Sequence, residues 1–248
     1  MSESQSKPQY GVDAPEFICG LFAAGIILPI VAHFLPPFKP FGRKVSAVGP
    51  ALRAVGLANL TLGTAMLAYG LRGKFNIRDL MLSMITWKGD EAVLDVGTGR
   101  GLLAIGAAKR LTTGKVTGID IWNAKDLSGN TLENALVNVR LEGVQDRVEF
   151  RSEDVRDLSF AEGTFDVILS LLCLHNIEGK EGRKERDVAC REIARVLKPG
   201  GTAVIGDYIK TADYAEAFTR AGLTVESRAS HLRQAYGLMW VVVVRKAA

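Results

Sequence analysis

The chain has 248 residues, 31 Lys+Arg against 27 Asp+Glu, a net charge of +4 and 48% hydrophobic residues, with a mean hydropathy of +0.13. That length suits one buried core plus an extension, and so mild a basicity, with no basic run interleaved with aromatics, excludes a nucleic-acid footprint. The three cysteines, Cys19, Cys173 and Cys190, lack C-x-x-C spacing, and no metal-ligand cluster is visible, so a reducing, cytosolic folded domain is the simpler reading.

Met1 to Asp13 is polar and reads as a disordered tail. Phe17 to Phe38 then carries no Asp, Glu, Lys or Arg. Its core, Phe17 to Leu35, would rise about 28 Å as a helix, close to the hydrocarbon thickness of a bilayer. Pro29 would kink this helix and Pro36-Pro37 would end it. A signal peptide fits poorly, because the stretch before the run holds one lysine against three acids and no small-residue cleavage site follows. A pair of buried soluble helices is the plainer alternative.

A second apolar stretch, Ala54 to Leu71, contains the small residues Gly56, Ala58, Gly63, Ala65 and Ala68, which allow close helix approach in membranes. Asn59, Thr61 and Thr64 make it the less lipophilic of the two. Two spans would put Lys39, Arg43, Lys44 and Arg53 outside, against the positive-inside tendency. One span plus an interfacial or re-entrant helix would keep them inside. The reading is two membrane-embedded helices of open topology. The division then falls near Lys74, with 1–74 as tail and anchor and 75–248 as a folded domain. Phe75 to Leu80 predicts a helix, and Arg72, Lys74 and Arg78 are placed for lipid phosphates.

The remainder alternates strands and helices, which implies a doubly wound α/β parallel sheet with helices on both faces. Val93-Leu94-Asp95-Val96 is an apolar run ending in a G-x-G-x-G loop, Gly97-Thr98-Gly99-Arg100-Gly101, which opens into the apolar helix Leu102 to Ala108. Glycines there let a ligand approach the backbone without a Cβ clash. Lys115 to Asp120 reads as a second strand. Asp120 falls roughly 20 residues after the loop, where a doubly wound fold places a carboxylate for ribose hydroxyls; a plain strand end or helix cap is the alternative. Leu132, Leu136 and Val139 form a helical stripe ended by Gly143. Val148-Glu149-Phe150 is a third strand and leads into Ser152 to Val155. Phe165 to Ser170 is a fourth. Lys180 to Arg186 alternates in charge as a solvated face would, and Ala189, Ile193, Val196 and Leu197 form a second helical stripe. Leu197-Lys198-Pro199-Gly200-Gly201 reads as a turn into a fifth strand. Leu223 to Ser227 and Met239 to Val244 look like two strands with no helix between them.

The loop spacing, with Asp95 two residues before Gly97, resembles motif I of the class I S-adenosylmethionine-dependent methyltransferases, and the later elements keep that family's order and spacing from about Asn76 to Lys246. The resemblance implies a Rossmann-like seven-stranded sheet with an antiparallel last strand, here preceded by two hydrophobic membrane helices. It implies S-adenosylmethionine as cofactor, held by Asp95, Gly97, Thr98, Gly99 and Gly101, by Asp120, Ile121 and Trp122, by Asp154 and Val155 near the adenine amino group, and by Ser170 at the end of the fourth strand. It also implies that the segment before the first strand covers the active site.

In Leu171 to Ile177, at the carboxyl end of the sheet, His175 suits a general base for a hydroxyl or thiol, or else a pocket-lining and loop-bonding role. Cys173 alone does not match an arsenite-type thiol pair, and the Asn-Pro-Pro-Tyr signature of amino-group methylation is absent. Trp122 suits a cover for the adenine face or ordinary packing. The expected protein is a membrane-anchored methyltransferase with its catalytic domain facing the cytoplasm, acting on a small or lipophilic acceptor such as a quinone, lipid, phenol or thiol. The competing readings are a nicotinamide-dependent oxidoreductase, opposed by the loop spacing and the lack of Tyr-x-x-x-Lys, and a non-catalytic membrane scaffold, opposed by the intact loop acids.

Overall fold

A computed structural model describes residues 7–35, 47–177 and 182–248. Helix α1 (Pro15–Phe34) and helix α2 (Val48–Ala68) form an antiparallel hairpin. Glycines recur at every seventh position of the second limb: Gly49, Gly56, Gly63 and Gly70. Each meets the first limb or the segment before it, at Ala32, Pro29 with Gly25, Leu21 with Phe22, and Val12 respectively. A Cβ on Gly56 would stand 2.6 Å from the Pro29 ring, so the backbones approach as closely as only small residues permit. The polar residues of α2 turn inward on their own helix: Asn59, Thr61 and Thr64 donate to the carbonyls four residues back, at 3.0, 2.9 and 2.7 Å. Helix α1 stops at Phe34, with Leu35 extended as suits a residue before proline. Pro36-Pro37 and Lys39, Arg43, Lys44 lie outside the described residues.

α2 continues through a π-helical turn, Tyr69–Gly73, into α3 (Lys74–Ser83), which contains the predicted Phe75–Leu80 helix. The sheet then follows: β1 (Ala92–Val96), α4 (Leu102–Ala108), β2 (Lys115–Asp120), α5 (Leu132–Leu141), β3 (Val148–Ser152), β4 (Phe165–Leu171), α6 (Arg183–Val196), β5 (Leu197–Asp207), α7 (Thr211–Arg220), β6 (Leu223–Ser230), α8 (Leu232–Ala235) and β7 (Trp240–Lys246). Strand order is 3-2-1-4-5-7-6, with β7 antiparallel to both neighbours. This is the seven-stranded Rossmann-like sheet expected of the resemblance. Successive strand residues point to opposite faces, and both faces are covered. Val93 joins Leu103, Ala107, Met81 and Val116 on one side, whereas Leu94 joins Ile168, Ile193 and Phe218 on the other.

Several expectations are corrected. Residues 7–13 are packed rather than disordered: Tyr10 is buried, and Asp13 bridges to Leu127 in an isolated antiparallel pair. The helical turn α8 separates the last two strands. In α5 the buried stripe is Ala135, Asn138 and Val139, leaving Leu136 exposed. Leu197 to Gly201 lies inside β5 as an irregularity in its pairing with β4, not as a turn before it. Arg186 is buried and donates to the Ile177 carbonyl at 3.2 Å; Lys180 lies outside the described residues.

Candidate active site

Strand order reverses between β1 and β4, and ligands of doubly wound folds bind at that switch point, outside the carboxyl ends of the strands. A cavity of about 240 Å³ lies there. Its floor is the glycine loop. Gly97 and Gly99 have φ of 70° and 54°, a conformation that favours glycine. A Cβ on Gly97 would fall 2.4 Å from the Cys173 side chain. The N–H groups of Gly97 and Thr98 donate to the Ile119 carbonyl at 2.9 and 3.0 Å, tying the loop to β2.

Asp95 is buried beneath the loop. Its Oδ2 accepts from Thr98 Oγ1 (2.7 Å) and the Ala104 N–H (2.9 Å), so it fastens the loop to α4. Burial raises its pKa to about 7 against the pull of those two hydrogen bonds. Its Oδ1 is buried without a protein partner. At the end of β2, Asp120 accepts from the N–H groups of Gly99 (2.8 Å) and Trp122 (2.7 Å) and from Asn130 Nδ2 (3.3 Å). A carboxylate has about four lone-pair sites, so acceptor capacity for a hydroxyl pair remains. The Asn130 Oδ1, also on the cavity wall, is buried and unpartnered.

The cavity brings together Asp95, Gly97, Thr98, Gly99, Asp120, Ile121, Asp154 and Val155. Four other expected residues stand outside its lining. Gly101 caps the amino end of α4. The Trp122 indole donates to Ser152 Oγ at 2.8 Å and meets the Phe150 ring edge-on, so Ile121 holds the exposed position beside the cavity. Ser170 is buried below the floor, with an unpartnered hydroxyl. His175 sits in a 3-10 turn, Leu174–Asn176, whose neighbours Cys173, Asn176 and Ile177 do line the cavity.

His175 has an oriented environment. Its Nδ1 lies 2.9 Å from Asp207 Oδ1, and its own N–H donates to Asp207 Oδ2 at 3.1 Å. Asp207, the last residue of β5, is fully buried and also accepts from the Tyr214 hydroxyl (3.1 Å) and the Tyr208 N–H (2.8 Å). The imidazole meets the Tyr208 ring edge-on at 4.8 Å. A carboxylate at Nδ1 favours the tautomer whose Nε2 lone pair is free to take a proton. Cys173 has the opposite character: burial raises its thiol pKa, which keeps the sulfur protonated.

Three contributors escape the sequence reading. Asp207 is 32 residues from its histidine and looks like an ordinary strand end. Arg156 grips Asp154 through Nε (3.0 Å) and Nη2 (2.6 Å) and lowers its pKa, a pairing hinted at only by an acid two residues before a base. The third is the stretch before Pro15, expected to be a disordered tail, whereas a cover from the segment before the first strand is what the resemblance implies. Tyr10, Asp13, Tyr69 and Lys74 all line the cavity. Main-chain bonds fix this segment, from Ser128 N–H to the Val12 carbonyl and from Ala14 N–H to the Asp126 carbonyl, both 3.0 Å. Lys74 is buried, with Nζ donating to the carbonyls of Tyr10 (2.7 Å) and Gly11, and Arg78 pairs with Asp79 at 2.8 Å. Of the three cations expected at lipid phosphates, Arg72 alone is exposed and unengaged by those partners. The Asp13 carboxyl is desolvated, which raises its pKa against the pull of Lys74, and its Oδ2 has no protein partner.

The unpartnered oxygens of Asp95 and Asn130 and the Cβ-free cradle at Gly97 fit a polar, hydroxyl-bearing ligand as S-adenosylmethionine is. Comparison with known proteins agrees. The family described as "Methyltransferase domain" matches residues 94–205. Methyltransferase GfsG of Streptomyces halstedii is 39% identical over 117 residues, 47% of this chain and 37% of that protein. Demethylmenaquinone methyltransferase of Bacteroides fragilis is 33% identical over 115 residues, 46% of this chain and 42% of that protein. The chain thus spans less than half the length of these relatives. Among solved structures, the [4+2]-cyclase SpnF superposes with a TM-score of 0.57 at 17% identity, covering 96% of this chain and 99% of that one, which speaks to the fold. Motif, sheet and the match over residues 94–205 together identify a class I S-adenosylmethionine-dependent methyltransferase domain in this chain.

Proposed function

We propose that the protein is a methyltransferase anchored through the α1–α2 hairpin, with 1–74 as the anchoring segment and 75–248 as a catalytic domain facing the cytoplasm, and that it methylates a hydroxyl of a lipophilic acceptor. The His175–Asp207 pair carries this reading, because a proton-bearing acceptor needs a base and this one is oriented at the carboxyl end of the sheet. When bound, S-adenosylmethionine supplies a methyl group already activated by its sulfonium charge. The residues then contribute positioning and proton removal. Asp120 accepts from ribose hydroxyls, with Asn130 beside it. Asp154, Val155 and Ile121, which line the cavity, would hold the adenine. Gly97 and Gly99 let the backbone approach. His175 Nε2 takes the acceptor proton, while Asp207 holds the ring and balances the imidazolium charge.

Two observations support the anchor. Both helices are long and apolar enough to span, and their outer faces expose large apolar side chains, with Phe34 78% exposed, which argues against a buried soluble pair. The in-helix bonding of Asn59, Thr61 and Thr64 satisfies polar groups without water, as a membrane segment requires. Both limbs also emerge at the cavity, Pro15 just after Asp13 and Ala68 just before Tyr69, which suits an acceptor dissolved in the bilayer. The Bacteroides relative is named for a quinone acceptor, which supports a lipophilic acceptor, whereas the choice of a hydroxyl rests on the His175–Asp207 pair alone.

Calorimetry with S-adenosylmethionine and with NAD tests the cofactor. The first should bind and the second should not. Asp120→Ala should weaken binding about tenfold or more, from the loss of a charged acceptor at about 1.5–3 kcal/mol. Unchanged affinity in that variant would sink the assignment.

A further inference from the structure

Three short segments meet beside the cavity: Tyr69 to Asn76, Tyr208 to Ala212 and His231 to Leu238. Helix α8 packs on the π turn, where a Cβ on Gly73 would stand 2.8 Å from the Ala235 carbonyl, and Asn76 Nδ2 donates to the Gln234 carbonyl at 3.1 Å. The third segment closes on the second, since His231 N–H donates to the Met239 carbonyl at 2.8 Å and Asp207, just before Tyr208, pairs with Trp240. The surface so formed exposes Leu71, Tyr208, Ile209, Leu232, Tyr236 and Leu238, with Leu71 at 64% and Leu238 at 65%. Tyr236 ends α8 with a φ of 57°. None of the three segments contains Asp or Glu; Arg72 and Arg233 are exposed on them, while Lys74 is buried against main-chain carbonyls and Lys210 donates to the His175 carbonyl at 3.1 Å.

We propose that this surface is an interfacial face of the catalytic domain, which lies against an anionic lipid bilayer and holds the cavity mouth at the lipid surface. The proposal rests on the membrane anchoring proposed above and adds a second contact to it. Its apolar residues continue directly from the end of α2, so a bilayer that receives the hairpin meets them at headgroup depth. Leucines and tyrosines with flanking Arg and no acid are the composition that such depth selects, with apolar area sinking into the acyl boundary and basic groups meeting lipid phosphates. Tyr208 also touches His175, so the same face carries the rim of the site. An acceptor leaving the bilayer there reaches the base without crossing water.

Single labelling sites test this in the full-length chain. Cys19→Ser removes the exposed thiol, Cys190 is buried, and the half-buried Cys173 is controlled for by labelling the Cys19→Ser protein alone and subtracting its signal. Into that background go Leu238→Cys on the proposed face, Ile27→Cys in the hairpin, and Glu162→Cys at the opposite, amino end of β4. Each is labelled with a polarity-sensitive fluorophore and reconstituted in vesicles of phosphatidylcholine and phosphatidylglycerol, with and without brominated acyl chains. The face predicts strong quenching by bromine at position 27, partial quenching with a blue-shifted emission at 238, and neither at 162. Quenching at 27 with position 238 behaving like 162 overturns the face and leaves the anchor standing. A blue shift at 238 without bromine quenching means a protein partner covers it, and overturns the lipid assignment. No quenching at 27 overturns the anchor, and the face with it.

Discussion

The hairpin and the sheet are made of the same apolar residue types and use them in opposite ways. In the sheet, Val93 and Leu94 point to opposite faces and both disappear under helices. In the hairpin the buried seam is mostly small residues, Gly25, Ala32, Gly56 and Gly63, joined by Ile18 and Leu21, while Phe17, Ile26, Ile30 and Leu57 face outward. A core in water hides its largest side chains, because each buried Leu or Phe contributes about 1.5–3 kcal/mol. In hydrocarbon that gain vanishes, and close backbone packing decides which residues meet. The two regions therefore pack as the proposed anchoring requires, the sheet for water and the hairpin for hydrocarbon. They join at one cavity, to which residues 1–74 give Tyr10, Asp13, Tyr69 and Lys74.

The largest effect should come from separating the regions. Removal of residues 1–72 should release the protein from membranes that hold the full chain through a carbonate wash, because apolar burial is insensitive to salt. The cut also removes Tyr10, Asp13 and Tyr69 from the cavity wall and both carbonyl partners of Lys74. The apparent KM for a membrane-partitioned acceptor should rise much more than the cofactor Kd, since the anchor acts as a tether that concentrates the acceptor. Kinetics in liposomes compare the two forms. Equal KM values would mean that the acceptor comes from water and that the two regions are functionally independent.

A change confined to the sheet should be next in size. His175→Ala should lower kcat by about 10²–10⁴-fold if the acceptor must lose a proton, and Asp207→Asn should lower it through the wrong imidazole tautomer. Cofactor Kd, measured by calorimetry, should not move in either variant, and membrane retention should be unchanged. A loss of cofactor binding in Asp207→Asn would reassign the pair to holding the cavity rather than the proton.

How much of this is legible in the residues differs between the regions. The glycine loop, Asp120 and the strands are local patterns: alternation, β-branched runs and an acid at a set distance. Such patterns are enough to locate the cavity from the amino-acid order alone. The His175–Asp207 pair joins two strand ends that only the β4–β5 pairing makes neighbours. The packing of residues 7–13 is equally non-local, because Gln9 and Tyr10 are held by Asn138 and Glu142, about 130 residues on. A short polar stretch carries no periodicity from which such partners follow. Lys74 looks like a lipid-facing cation for the same reason, as its partners are main-chain carbonyls. The hairpin's glycine repeat, by contrast, is plain in the sequence once its seven-residue spacing is noticed, and it predicts the seam.

That seam gives a smaller, sharper test. Gly56→Leu should drive a side chain into the Pro29 ring, which a Cβ alone would approach to 2.6 Å. Overpacking of this kind costs about 1–3 kcal/mol. The hairpin should loosen, read as lower efficiency of a cysteine cross-link engineered between its limbs in detergent micelles, while cofactor Kd stays within about twofold. Equal loss of cofactor affinity would show that the hairpin seam and the cavity form one cooperative unit.

The smallest expected effect is a pH dependence belonging to the sheet alone. Asp95 has its pKa raised from 3.8 to about 7, chiefly by burial. Between those values the folded protein holds a proton that the unfolded chain has released, so stability falls as pH rises through this window and levels off above about 7. Asp95→Asn keeps an oxygen for Thr98 and Ala104 and removes the ionisation. Its unfolding midpoint in denaturant should therefore be flatter than that of the parent between pH 4 and 7, and should compare most favourably with the parent above that range. Full-length protein and the variant should show the same difference in micelles and in liposomes, because Asp95 lies under the glycine loop and its hydrogen bonds go to Thr98 and Ala104. A difference that changed with the lipid would mean that the membrane alters how deeply the loop is buried, and would tie the two solvents together at the cavity floor.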